Sequence, residues 1–209
     1  MAGVHATEAQ VEAIRAAAMD IAVRAGDTAL LLLTDVAHQA GVDETVVWDV
    51  DPTEEDLVRD VQLRGFAACL ARMDLAVALL PRGASVLDEL HALATGYVAF
   101  AMENPQTYML IYGIRNAMST GLARIDEGAH PGAQALDTLI AGVEVCRPDL
   151  DATVVRARSI GMWLALHGYV RLRCDRPLVP LPPTDQFVRT LVEAAAGPPG
   201  PALRLVADL

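Results

Sequence analysis

The sequence predicts an all-α protein, and three observations support that fold class. Apolar residues recur at spacings of three and four along most of the chain, with no alternation of the strand type. Glycine and proline stand between these segments, where helices end. Ala, Leu and Val dominate a hydrophobic content of 53%, and only 4% of residues are aromatic. This composition favours helices that pack through small and aliphatic side chains, and 209 residues are enough to bury a substantial core.

The breaks define the order of the predicted helices. In chain order they cover about residues 7–25, 31–40, 43–48, 56–80, 84–103, 105–119, 131–146, 149–173 and 184–196. Asp43 is the expected N-cap of the third helix, and Thr53 or Asp51 that of the fourth. Residues 176–183 contain four prolines and therefore form an extended connection.

Negative charge is concentrated in the first sixty residues. They hold thirteen acidic and three basic residues, and so −10 of the formal net charge of −11. Residues 25–58 contain nine carboxylates and neither Lys nor Arg. Cations that neutralise phosphates supply nearly all non-specific DNA affinity. This region is therefore not expected to bind DNA, although an acidic stretch can also be a solvated face.

Other classes of site have no signature in the chain. Cys69, Cys146 and Cys174 are unclustered, which predicts neither a disulfide framework nor a zinc site. No phosphate loop, dinucleotide fingerprint or nucleophile elbow is found, so no metal or cofactor is expected. No apolar run approaches the length of a membrane span, and no N-terminal signal is recognised. A cytoplasmic protein without a membrane partner is expected.

Three segments of the first sixty residues resemble the TetR family of one-component regulators. Val36–Val42 is similar to the turn of its helix-turn-helix, and Thr45–Trp48 aligns with the core of its recognition helix. Pro52–Leu57 is similar to the start of its fourth helix. The resemblance implies that Thr45 and Trp48 would contact DNA if that activity were retained.

Two further segments resemble a regulatory-domain type of the same family, named after its W-H-G pattern. They are Tyr97–Pro105 and Trp163–Gly168, so that the resemblance covers about residues 8–196. It implies a ligand-binding body and a homodimer joined through the last two long helices. The expected division is a helix-turn-helix-like head, a ligand-binding and dimerisation body, and a loose tail, at 1–55, 56–196 and 197–209.

The head departs from the family pattern where relatives contact phosphates. Leu31 and Leu32 stand where the second helix usually opens with Thr or Ser. Asp43 opens the recognition helix in place of Ser or a basic residue, and Val46 replaces a Thr that commonly binds phosphate. Glu54 replaces the Lys at the start of the fourth helix. Each change removes or inverts a DNA contact.

Polar side chains on the apolar body helices are the candidate site residues, because a ligand pocket needs a few polar groups. The candidates for acid–base chemistry are His91, His167 and Tyr97. The candidates for contacting an apolar ligand are Phe100, Tyr108, Tyr112, Arg115 and Trp163. Each has a plainer interpretation. The histidines and tyrosines are also what core or dimer packing would use, and Arg115 is also a partner for a carboxylate such as Glu103.

Three functions remain open at this stage. The first is a TetR-like protein that binds a small apolar metabolite without touching DNA. In that case it either only binds the metabolite or promotes a cofactor-free cyclisation, rearrangement or proton transfer. The second is a ligand-responsive repressor that does bind DNA. The third is an accessory protein that sequesters a ligand or forms inactive heterodimers.

Overall fold

The structure is a computed structural model that describes residues 6–25, 31–112, 131–174 and 180–197. These residues form nine α-helices and no strand, which confirms the all-α prediction. In chain order the helices are α1 (Glu8–Ala25), α2 (Leu33–Ala40), α3 (Glu44–Val50), α4 (Glu54–Ala78), α5 (Val86–Glu103), α6 (Pro105–Tyr112), α7 (Pro131–Cys146), α8 (Ala152–Cys174) and α9 (Thr184–Ala196). The predicted continuation of α6 to residue 119 lies outside the described residues.

Side-chain caps set where several helices begin. The Asp56 amide donates to Thr53 Oγ1 over 3.1 Å, so Thr53 caps α4 and the helix starts two residues earlier than predicted. Ser85 and Asp88 form a reciprocal capping box, which moves the start of α5 from residue 84 to 86. Asp151 accepts from the amides of residues 153 and 154, so α8 begins at 152 rather than 149.

Helix α2 begins without a side-chain cap. Leu32 occupies the N-cap position in an extended conformation and accepts no amide through its side chain. The prediction of a helix from residue 31 was wrong by two residues, because Leu31 is buried in the core before the helix starts. Gly41 ends the helix with φ of 68°, a left-handed conformation that glycine adopts without strain.

The chain divides into two compact units, and α4 and α5 contribute residues to both. The first comprises residues 1–72 and 99–134, and the second comprises 73–98 and 135–209. In the first unit α1 packs against α2, α3 and α6. Its core consists of aliphatic side chains from α1 to α4 and α6, with Ile14, Val36, Val47, Leu57 and Val61 among the most buried. Adding a Cβ to Gly65 would place it 2.4 Å from Ile111 Cγ2, which shows how closely α4 and α6 approach.

In the second unit α8 packs against α9. The Tyr169 ring stacks on Phe187 at 4.2 Å, and its hydroxyl donates to the Pro182 carbonyl over 2.8 Å. Arg147 is buried at the end of α7, where it donates to the Gly197 carbonyl and pairs with Asp149. These bonds tie the last residues of α7 and α9 to each other.

The three cysteines are free thiols. Cys69 is buried, and burial raises its pKa to about 12, which keeps the thiol protonated and unreactive. None of the described helices is both long and apolar enough to span a membrane.

Candidate functional site

Tyr97 and His167 meet in the second unit. The Tyr97 hydroxyl lies 3.4 Å from His167 Nδ1, at the outer limit of a hydrogen bond. Burial, and then the positive charge of Arg171 one turn further along α8, lower the pKa of His167. The imidazole is therefore mainly neutral near pH 7, and a neutral ring can accept one proton and donate another.

Trp163 lies one turn before His167 on α8. Their ring centroids are 5.9 Å apart with the planes inclined by 31°, so the two side chains face the same way, as expected for residues four apart on a helix. Together with Tyr97 they form a polar and aromatic group in the second unit. This group can orient a ligand that has a carbonyl or hydroxyl and an apolar body.

His91 belongs to a different side of α5 from Tyr97. Six residues separate the two, and at about 100° per residue their side chains point roughly 120° apart. The structure therefore does not bring His91 into the Tyr97–His167 contact through their common helix. Asp88 lies one turn before His91, and its pKa is lowered by hydrogen bonds from Ser85 and, to a smaller extent, by the charge of His91.

The His91 side of α5 has two buried polar atoms without a hydrogen-bond partner among the protein atoms described. They are His91 Nε2 and Thr95 Oγ1, one helical turn apart. A buried polar atom without a hydrogen bond costs about 1–3 kcal/mol. A polar group of a ligand that bonded to these two atoms would therefore be bound favourably. The sequence analysis missed Thr95. Its spacing of four from His91 is the signal that could have found it.

The remaining aromatic candidates lie in the first unit. Tyr108 is fully buried and contacts Tyr112, with ring centroids 4.9 Å apart, and Phe66 meets Tyr112 edge to face at 5.3 Å. Phe66, which the sequence analysis did not single out, thus completes an aromatic cluster between α4 and α6. Phe100 is buried in the same unit. Arg115 lies outside the described residues, and Glu103 pairs with Arg72 at 3.0 Å.

Thr45 and Trp48, the α3 residues that would contact DNA, are exposed and bordered by acid. The predicted Asp43 cap is confirmed, because Asp43 Oδ1 accepts from the Thr45 amide at 2.9 Å and the Thr45 hydroxyl at 2.6 Å. These bonds lower the pKa of Asp43, so this end of α3 stays anionic. The Thr45 hydroxyl is therefore already hydrogen-bonded to a carboxylate, whereas the Trp48 side chain is 54% exposed.

The arginines of the first unit are engaged with carboxylates. Every arginine in its described residues forms an ion pair, namely Arg15 with Asp60, Arg24 with Asp20, Arg59 with Asp56, Arg64 with Glu12 and Arg72 with Glu103. Individual surface pairs contribute little to stability. Their consequence here is that no described cation of this unit stands without a carboxylate beside it.

An open groove lies beside α3. It has a volume of about 460 Å³ and is lined by the first turn of α2, by Glu44 and Trp48 of α3, and by Pro52, Thr53 and Glu54 before and at the start of α4. We call it the head groove. A smaller groove of about 270 Å³ lies between α5 and α7 beside Leu90 and Gly142. Neither of these two grooves is lined by the candidate ligand residues of the sequence analysis.

Asp51 is a buried carboxyl group at the C-terminal end of α3. Burial, and then the negative charge of Asp60, raise its pKa to about 6, and its Oδ2 atom has no hydrogen-bond partner among the described residues. Part of the acidic charge predicted for this face is therefore held in the interior and titrates near neutrality.

Comparison with known families identifies the chain. Residues 90–195, half of the sequence, match the model of the tetracyclin repressor-like C-terminal domain. The chain belongs to this TetR family. The match includes α5, where Tyr97 lies, and α8, where Trp163 and His167 lie. The family resemblance predicted from the sequence is thereby confirmed.

Solved structures agree with the TetR-like fold. A protein of unknown function from Rhodococcus sp. RHA1 has a TM-score of 0.70 and 18% identity, over 93% of this chain and 97% of its own. A protein provisionally assigned as a regulator, SCO4313, gives 0.66 and 18% over 92% and 99%. The TetR family transcriptional regulator PfmR from Thermus thermophilus gives 0.54 and 14% over 91% and 97%. No curated protein matches the sequence. At these identities the likeness establishes the fold alone.

Proposed function

We propose that this TetR-like protein is a homodimer that binds a small, largely apolar metabolite and does not bind operator DNA. The observation that supports the proposal best is the electrostatics of the α2–α3 face. Carboxylates border the exposed Thr45 and Trp48, and each described arginine of the first unit is already paired with an acid. In this proposal residues 1–55 remain a head in shape only, residues 56–196 form the working body, and 197–209 are a tail.

The energetic argument follows from the sign of the charges. A carboxylate within about 5 Å of a phosphate costs about 1 kcal/mol even in a solvent-like dielectric. A typical complex gains its affinity from several phosphate contacts per subunit. Acids in place of those contacts, doubled in a dimer, would cancel the free energy that normally holds a relative on its operator.

The second unit supplies the proposed ligand site. Two positions in this unit are candidates, on different sides of α5: the Tyr97–His167 contact bordered by Trp163, and His91 Nε2 with Thr95 Oγ1, which lack partners among the described residues. Each suits a ligand with a carbonyl or hydroxyl on an apolar body. The neutral His167 beside a tyrosine hydroxyl also favours acid–base chemistry on the ligand. A cyclisation, rearrangement or proton transfer without a cofactor is the enzymatic form of the proposal.

The proposed dimer uses α8 and α9. On α8, Leu164 is 54% exposed and Leu172 is 50% exposed, and both lie on the side of Gly161 and Gly168. A Cβ added at either glycine would meet nothing within 4 Å. Small residues between exposed leucines let a second helix approach closely. An unpartnered apolar helix face of this kind favours self-association.

The test for DNA is fluorescence anisotropy with the duplex upstream of the gene, measured at low salt, where electrostatic binding is strongest. We expect no saturable binding by the native protein. The matched control is the double variant Glu44→Lys/Glu54→Lys, which should gain non-specific affinity that disappears as salt is raised. Tight, sequence-selective binding by the native protein would establish the ligand-responsive repressor instead.

The test for the ligand is mass spectrometry of the native dimer and of the small molecules that it retains through purification. We expect a bound apolar metabolite whose retention falls in His91→Ala, Thr95→Val and Tyr97→Phe. Chemical change of that metabolite on incubation with the native protein would establish catalysis. Retention without change supports binding or sequestration. Variants that lose the dimer but keep the ligand would show that the residues serve packing.

A further inference from the structure

We propose that the head groove is a docking site for a protein segment in which arginine or lysine side chains flank a large apolar side chain. The inference depends on the proposed absence of DNA from this face, and it assigns that face a partner of the opposite charge. It is independent of the ligand in the body.

The floor of the head groove is apolar and exposed. Trp48 is 54% and Leu32 is 40% exposed, although both are large apolar side chains that proteins normally bury. Pro52 adds a third apolar surface. An exposed tryptophan beside a groove is a frequent centre of protein–protein binding energy. The available volume, about 460 Å³, is enough for one or two large side chains of a partner.

The rim of the head groove is acidic on two sides. Glu44 opens α3 and Glu54 opens α4, and both side chains are exposed. Asp43, beside Glu44, is held anionic by its bonds to Thr45. The charge and the apolar floor together select a partner in which cations stand on either side of an apolar anchor, because opposite charges steer the encounter and the anchor provides the affinity.

The α2 end of the groove selects for side chains over nucleic acid. Leu32 and Leu33 line this end of the groove, and Leu32 provides no side-chain cap for the helix. A phosphate would meet carboxylates at α3 and α4, and Leu32 and Leu33 beside Thr34 at α2. A leucine or aromatic side chain would instead gain about 25 cal/mol for each Å² of apolar surface that it covers. The groove is open, which suits a polypeptide segment better than a small molecule that requires enclosure.

The probe for this site is a short fluorescein-labelled peptide of alternating arginine and leucine, followed by anisotropy. We expect saturable binding to the full-length dimer, weakened about tenfold by Trp48→Ala. The matched control is Leu79→Ala, because Leu79 is equally apolar and 75% exposed but does not line the groove. It should bind as the native protein does. Glu44→Gln/Glu54→Gln should weaken binding several-fold and flatten its salt dependence, whereas Glu8→Gln should change neither.

A second peptide, with serine in place of every leucine, separates docking from general attraction to polycations. Equal affinity for the two peptides, or equal affinity of Trp48→Ala and native protein, would overturn the proposal, as would no binding at all. Circular dichroism of each variant establishes that these exposed substitutions leave the fold intact.

The duplex titration distinguishes this inference from the proposed function. Peptide binding without DNA binding supports both. If neither the peptide nor the duplex binds, the docking site is overturned and the proposed function is not. Specific DNA binding that displaces the peptide overturns the DNA-free head and shows that the groove serves the operator.

Discussion

Two exposed apolar surfaces among the described residues of this TetR-like protein differ in what surrounds them. In the first unit Leu32 and Trp48 line a groove bordered by Glu44 and Glu54. In the second unit Leu164 and Leu172 of α8 lie beside glycines, and α8 contains arginines but no acid. An acidic border repels a second copy of itself, whereas a flat face of small residues admits one. The charge and size of the residues around each surface, more than its apolar area, therefore indicate which partner it suits.

The largest expected effect is loss of the proposed dimer on changing the α8 face. Leu164→Arg should weaken self-association by about a hundredfold or more, because a charge would be buried without a partner against the second copy. Leu79→Arg, at another exposed leucine, is the matched control and should remain dimeric. Analytical ultracentrifugation measures both. A Leu164→Arg protein as dimeric as the native one would remove α8 from the interface.

The next effect concerns the buried acid of the first unit. Burial raises the pKa of Asp51 from 3.8 to about 6, so the folded state favours its protonated form. Protonated Asp51 therefore stabilises the fold by its full amount below the pKa that this group has in the unfolded chain. That contribution to the free energy of unfolding is lost as pH rises through the pKa of the folded state. Asp51→Asn should therefore raise the free energy of unfolding by about 2–3 kcal/mol near pH 7.5, and by almost nothing near pH 4.

Urea unfolding at the two pH values measures this difference. Glu55→Gln, at an exposed acid of the same region, is the control and should change stability little at either pH. An Asp51→Asn protein that is less stable than the native one at neutral pH would mean that the ionised carboxylate has a stabilising partner in the folded state. That result would contradict the raised pKa of Asp51.

A smaller effect compares the starts of α2 and α3. Asp43→Ala removes the cap of α3 and should lower the free energy of unfolding by about 1 kcal/mol. Leu32→Ser supplies the cap that α2 lacks and should raise it by up to about 1 kcal/mol. Leu32→Ala separates the new hydroxyl from the loss of the leucine. Thermal unfolding that gives both changes the same sign would contradict the contrast between the two helix starts.

The smallest effect is on the titration of His167. Burial and Arg171 lower its pKa, so proton NMR should find it titrating below the ordinary range of histidine. Arg171→Gln should raise the pKa of His167, because it removes a nearby positive charge. Arg156→Gln, earlier on the same helix, should leave it unchanged. A His167 pKa above the ordinary range of histidine would contradict its assignment as a neutral acid–base group.

Much of the fold could be predicted from the sequence, because local patterns of apolar spacing and capping residues determine the helices. Apolar spacing gave the helices, and Asp43 and Thr53 were recognisable as caps. The start of α5 was missed because the capping box of Ser85 and Asp88 was not considered, although its spacing is visible. The start of α2 was less accessible, since only packing decides that Leu31 is core and not helix.

The candidate site could be predicted only in part, because its contacts join distant residues. Trp163 and His167 share a helix face, so their spacing was sufficient. The approach of Tyr97 to His167 spans seventy residues and depends on how α5 and α8 pack. The ion pair of Arg15 with Asp60 and the pKa of Asp51 likewise depend on tertiary burial, which local patterns do not contain.

The most direct test of the proposed DNA-free head is the salt dependence of duplex DNA binding by the purified native protein beside Glu44→Lys/Glu54→Lys. We expect no measurable affinity of the native protein at any salt concentration, and for the variant an affinity that falls steeply as salt rises, with a slope set by its added cations. Native protein that binds its upstream duplex tightly and selectively, with a slope like that of an ordinary repressor, would contradict it.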